Sequence, residues 1–244
     1  MTLDVTVFAL MVAAVALFLA AAVVSGGRVA LVLLAAALFT VLAALAVAIN
    51  TESLAALDTL VENWVDNHRT QRREVVASGL FGYIGRPLHV LGVAVVCGTL
   101  LSLFRRSAIP VGLVIGAVGI GVVVEETLKA TIGRTATAGP LLDYPHSFPS
   151  GHVTGSATLF GMIAVCLAAR DSRLAKAAIG LLVAQSVVFV AALAVYSGAH
   201  VFSDAIGGMA LGGAIVSLGA AVLDTFTPRH RVTADRGQPA VSRE

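Results

Sequence analysis

The stretch VALVLLAAALFTVLAALAVAI, Val29–Ile49, runs for 21 residues without a charge. Wound as an α-helix at about 1.5 Å per residue it reaches roughly 30 Å, the thickness of a bilayer's hydrocarbon core. Working outward from it, comparable apolar runs occupy Val5–Val24, Leu88–Phe104, Ile109–Val124, Val153–Ala169, Ala177–Tyr196 and Ser203–Leu223. The shorter runs fall near the lower limit for a crossing, so their helices are expected to extend into polar flanks such as Glu125–Lys129.

Composition agrees with that reading. Of 244 residues, 58% are hydrophobic and only 12% charged, and the mean hydropathy is +0.93, far from a soluble domain. The fold class expected is an all-α, polytopic transmembrane bundle of about seven helices. Only Asp4 precedes the first run, which lacks the basic leader and small-residue cleavage site of a secretory signal, so it reads as a retained helix. Cys97 and Cys166 fall inside apolar runs and act as small packing residues. A net charge of +2 gives no footprint for nucleic acid. The pairs Gly112/Gly116 and Gly208/Gly212 have the spacing of close helix packing.

Seven crossings place the N-terminus, residues 50–87, the 130–152 loop and the 197–202 loop on one side. Ten of the 16 Lys and Arg residues lie on the other side, which the positive-inside rule makes cytoplasmic. Residues 50–86 carry Leu54, Leu57, Val61, Trp64 and Val65 at helical spacing amid polar residues. They read as a helix in the outer interface or a solvated connecting helix. The segment after Pro228 is polar and expected to be a disordered cytoplasmic tail.

Three polar clusters share the predicted outer side: EETLKATIGR (Glu125–Arg134), FPSGH (Phe148–His152) and SGAHVFSD (Ser197–Asp204). His200 and Asp204 are i, i+4, so the carboxylate can take a proton from one imidazole nitrogen and leave the other as a nucleophile. His152 can protonate a departing oxygen. Ser150 and Gly151 open the fifth crossing, where hydroxyl, backbone N–H groups and the positive helix end suit phosphate oxygens. Lys129 and Arg134 add cationic charge. Together these residue types suit phosphoryl transfer. No cluster has metal-ligand spacing, so neither a metal nor another cofactor is expected.

The pattern resembles the type 2 phosphatidic acid phosphatase (PAP2) superfamily, with signatures K-x6-R-P, P-S-G-H and S-R-x5-H-x3-D. The resemblance covers roughly Leu54 to Leu223. It implies an extra N-terminal helix (1–28), a PAP2-like membrane domain (29–224) and a polar tail (225–244). By resemblance, Lys129 is the first lysine, Ser150, Gly151 and His152 are the phosphate-binding and general-acid segment, and His200 with Asp204 are the nucleophile and its orienting acid. The reaction implied is metal-independent dephosphorylation of a lipid phosphate or diphosphate through a phosphohistidine, with the bilayer lipid as partner. The sequence carries no signal for oligomeric state.

Two signature arginines are absent. The chain has Ala136-Thr137 in place of Arg-Pro and Leu193-Ala194 in place of Ser-Arg. Arg134 stands where many relatives carry an additional arginine, and nothing near Ala194 in sequence replaces the second. Three readings follow: a divergent active phosphatase, a pseudo-enzyme that binds lipid phosphates, or an enzyme altered to Ala at both positions. A channel or transporter fits less well, because the ionisable residues gather at one interface. Glu125, i, i+4 to Lys129, is expected to position it. Asp143 and His146 read as residues of a solvated loop, and His89 as structural.

Overall fold

The computed structural model describes residues 2–24, 26–133, 147–168 and 172–226. Among the described residues all regular structure is helical: α1 (Thr2–Val23), α2 (Arg28–Ala48), α3 (Glu52–His68), α4 (Gln71–Tyr83), α5 (Pro87–Arg105), α6 (Ile109–Thr131), α7 (Gly151–Ala168), α8 (Arg173–Tyr196) and α9 (Phe202–Phe226). Seven of these, all but α3 and α4, are long and apolar enough to cross a membrane, so the chain is a polytopic helical bundle. The polar flank of the fourth crossing is helical as expected, α6 running through Glu125–Lys129 to Thr131. Arg134, Ala136, Asp143, His146 and residues 227–244 lie outside the described residues.

The segment 50–86 is two helices, not one. Arg69 and Thr70 have extended backbone, and the Thr70 hydroxyl accepts the Arg73 N–H at 3.4 Å, starting α4. This is a helix N-cap with a hydroxyl in its preferred place. The stripe on α3 is split as well: Leu54 and Val65 are buried, whereas Leu57 and Trp64 are 42% and 57% exposed.

The helices α7 and α9 form the centre, each with half or more of its crossing buried, while α1 packs on α2 at the periphery. Small residues allow the close approach of α7 and α9. A methyl added at Gly212 would sit 2.5 Å from Ala157 Cβ, and one at Gly208 would sit 2.7 Å from the Ser150 carbonyl oxygen. In lipid, tight packing of this kind is a main source of helix association. Buried Thr154 and Thr158 satisfy their hydroxyls on the carbonyls of Ser150 (2.9 Å) and Thr154 (2.8 Å). At the far end of the bundle Arg105 donates to the Cys166 and Leu167 carbonyls, tying α5 to the C-terminus of α7.

The expected packing role of Gly112/Gly116 is corrected: among the described residues, and apart from the helix's own backbone, no atom lies within 4 Å of a methyl placed on either glycine. The same four-residue spacing therefore seats one helix on another at Gly208/Gly212 and faces open space at Gly112/Gly116. Gly212→Ala is expected to lower the unfolding free energy by about 1–3 kcal/mol through overpacking. Gly116→Ala leaves it unchanged or raises it by up to about 1 kcal/mol from helix propensity. Unfolding titrations with a denaturing detergent measure both.

Candidate active site

Lys129, Gly151, His152 and His200 line one cavity of about 770 Å³ at one end of the bundle. Lys129 closes α6, Gly151 and His152 open α7, and His200 precedes α9. Ionisable side chains are too costly in hydrocarbon to lie in mid-helix, and the chain confines them to ends that the fold then gathers.

His200 is fixed on both sides. Its backbone N–H donates to the Ala194 carbonyl at 3.2 Å, and its Nδ1 lies 3.4 Å from Asp204 Oδ2. Asp204 has no exposed surface. The turn between α8 and α9 is closed by the Ser197 and Gly198 N–H groups on the Leu193 and Val195 carbonyls. Gly198, with φ +74°, takes a left-handed conformation that L side chains avoid.

Phe81 of α4 joins the two histidines. Its ring stacks on His152 at 4.3 Å between centroids, and meets His200 edge-on at 6.1 Å. Gly85, φ +85°, packs directly on His152: a methyl there would sit 2.9 Å from its Cα. His152 is thus held at its ring by Phe81 and at its backbone by Gly85, and it lines the cavity.

The phosphate-binding candidates are placed differently from one another. The Ser150 N–H donates to the Asp204 carbonyl at 3.0 Å, so the start of α7 is pinned to the first turn of α9. The Ser150 hydroxyl is buried and does not line the cavity, whereas Ser147 does; among the described residues neither hydroxyl has a hydrogen-bond partner. Lys129 pairs with both Glu125 and Glu126, the latter at 3.4 Å. Glu125 is buried and lies against Gly151, where any side-chain carbon would collide with its carboxylate. Ala194 is fully buried in an apolar cluster with Phe81, Val153 and Ala205, and does not line the cavity.

Among the described residues no group of three or more His, Cys, Asp or Glu side chains converges on a metal-sized site. Sequence reasoning missed three contributors. Phe81 had only apolar spacing to mark it. Asp58, an acid on the buried face of α3 with Leu54 and Val65, hydrogen-bonds Ser203 beside Asp204. Arg69 brings a cation to the turn that holds His200: its Nη2 lies 3.7 Å from where a methyl on Gly198 would sit. Its partner in the sequence is Asp66 at 3.4 Å, and the Tyr196 hydroxyl fastens the same loop by donating to the His68 carbonyl at 3.1 Å.

Comparison with known proteins bears on this geometry. The sequence pattern of the PAP2 superfamily matches residues 108–228, about half of the chain. Among solved structures the chain is similar to a transmembrane PAP2-type phosphatidylglycerolphosphate phosphatase from Bacillus subtilis. The identity is 24% and the TM-score 0.68, over 81% of this chain and 98% of that one. At that identity the likeness is one of fold. No curated protein matches the chain.

The acidic pair around Lys129 carries a stability prediction. Lys129→Met leaves Glu125 buried without its cation and is expected to cost on the order of 3 kcal/mol. Adding Glu125→Gln to that variant recovers most of the loss, and the same detergent unfolding titration checks both.

Proposed function

The chain belongs to the PAP2 superfamily, and from that membership we propose that it is a metal-independent lipid-phosphate phosphatase whose nucleophile is His200. The single observation that supports this most is the His200–Asp204 pair at 3.4 Å, with the second histidine on the same cavity wall. Asp204 orients the ring so that Nδ1 carries the proton and Nε2 is left with its lone pair for attack on phosphorus. His152 gives a proton to the leaving lipid oxygen, then takes one from the water that hydrolyses the phosphohistidine.

The phosphate sits at the N-terminus of α7, where Gly151, the Ser150 hydroxyl and the helix dipole receive its oxygens. Lys129 turns from its carboxylate partners toward the incoming charge, and Arg134 is assigned the same cationic role. The substrate is a lipid phosphate or diphosphate, of the polyprenyl, phosphatidylglycerol phosphate or phosphatidic acid kind. In support, the cavity is polar at Lys129, His152 and His200, and apolar at Pro87, Val90 and Val122, which lie in crossings. The charge asymmetry of the loops supports an orientation with this face outside the cytoplasm.

A second reading is favoured by a specific observation. Ala194 is embedded among apolar neighbours and Lys129 is shared by two acids, so the site holds less free positive charge than the family signatures provide. That reading is a membrane protein that binds lipid phosphates and turns them over slowly or not at all.

Phosphate release by the purified protein from the three lipid classes, with and without EDTA, tests the proposal. EDTA-insensitive turnover that falls by on the order of 10⁴-fold or more in His200→Ala is expected. Saturable lipid binding with no release establishes the second reading. His152→Ala is expected to slow lipid substrates by about 10²–10⁴-fold; with p-nitrophenyl phosphate it spares the initial burst of phenolate, which departs without a proton, and slows the steady state, because the phosphohistidine still needs a base for its hydrolysis.

A further inference from the structure

We propose that Asp58 is a positioning residue for the His200–Asp204 pair, acting from α3 through the first turn of α9; the proposal rests on the reading of His200 as nucleophile. Asp58 lies outside the segment that matches the family pattern, does not line the cavity, and is only 5% exposed.

A helix leaves its first N–H groups without intrahelical partners, and a side-chain oxygen just before it normally receives one. At the start of α9 that position is Val201, whose carbonyl already accepts the Ala205 N–H and whose side chain has no oxygen. Asp58 supplies the missing cap from a helix 145 residues away. Its Oδ1 accepts the Ser203 N–H at 2.8 Å, and its Oδ2 accepts the Ser203 hydroxyl at 2.7 Å. A carboxylate at a helix N-terminus also lies in the favourable sense of the dipole.

The grip falls one residue before Asp204. That residue holds His200 Nδ1 with its side chain and the Ser150 N–H with its backbone carbonyl. The nucleophile and the phosphate turn are therefore both referenced to the turn that Asp58 clamps. The two bonds to Ser203 fix its backbone and its side chain together, and Asp204 has little freedom left. A displacement of about 1 Å in a catalytic pair costs on the order of 10²-fold in rate.

Asn at position 58 preserves both bonds: its Oδ1 accepts the Ser203 N–H and its amide donates to the Ser203 hydroxyl. Ala removes both. The test is ¹⁵N-histidine NMR of the full chain in lipid nanodiscs, with His200 assigned by His200→Gln, alongside kcat and KM. Wild type and Asp58→Asn are expected to hold the His200 ring in its Nδ1–H tautomer. In Asp58→Ala the His200 signals should move to tautomer averaging, with kcat falling by about 10²-fold and KM by less than about threefold. Asp58→Asn should recover most of the rate. Should Asp58→Ala fail to fold, Asp58→Ser, too short to hold both groups, gives the same spectral readout.

Unchanged His200 signals in the disruptive variants overturn the proposal, as does equal damage in Asp58→Asn, which would mean that charge and not geometry is at work. The spectrum is independent of turnover. A shifted spectrum in a chain that releases no phosphate would uphold the positioning role and overturn the phosphatase reading.

Discussion

A carboxylate with no exposed surface must be met by donors, and Asp204 is that carboxylate here. Its carboxylate faces His200 Nδ1, its carbonyl receives Ser150, and its neighbour Ser203 is clasped by Asp58. Three separate parts of the chain, α3, the entry to α7 and the α8–α9 turn, are brought into register by satisfying one turn of helix. The site is thus a by-product of the polar accounting at a single helix end, and Phe81 adds an aromatic brace that spans both histidines.

The bilayer supplies the second constraint. Hydrocarbon forbids scattered charge, so polar chemistry collects at one end of the bundle, directly above the apolar walls of α5 and α6. Ala194 is buried in an apolar cluster with Phe81 and Val153. An arginine introduced there would have to leave that cluster to reach the cavity. Arg69, from the linker between α3 and α4, brings positive charge to the turn between α8 and α9 at Gly198.

Much of this was legible in the sequence, for reasons that are physical. The seven crossings announce themselves because a bilayer demands long uninterrupted apolar runs. The i, i+4 pair Glu125/Lys129 is local and helix geometry alone places it together; His200 and Asp204 are as close in sequence, but His200 stands in the turn before α9, so it is the turn that brings it to the carboxylate. Contacts between distant elements were not legible. Asp58 looked like one more acid on an amphipathic helix, and only the packed fold shows it capping α9. Gly112/Gly116 and Gly208/Gly212 share a spacing, but spacing says nothing about whether a neighbour is present. The division of residues 50–86 into α3 and α4 did leave a trace, since Thr70 is a good helix cap that a continuous-helix reading passes over.

The central claim is that phosphoryl transfer passes through His200, and it is tested most directly by trapping the intermediate. Rapid acid-free quenching of the protein with a lipid diphosphate, followed by peptide mass spectrometry under alkaline conditions, locates any phosphoryl group. A phosphohistidine confined to the peptide carrying His200, absent from His200→Gln and accumulating in His152→Ala with a p-nitrophenyl substrate, is the result expected. Turnover with no phosphorylated histidine, or a phosphoryl group on His152 instead, would contradict the account.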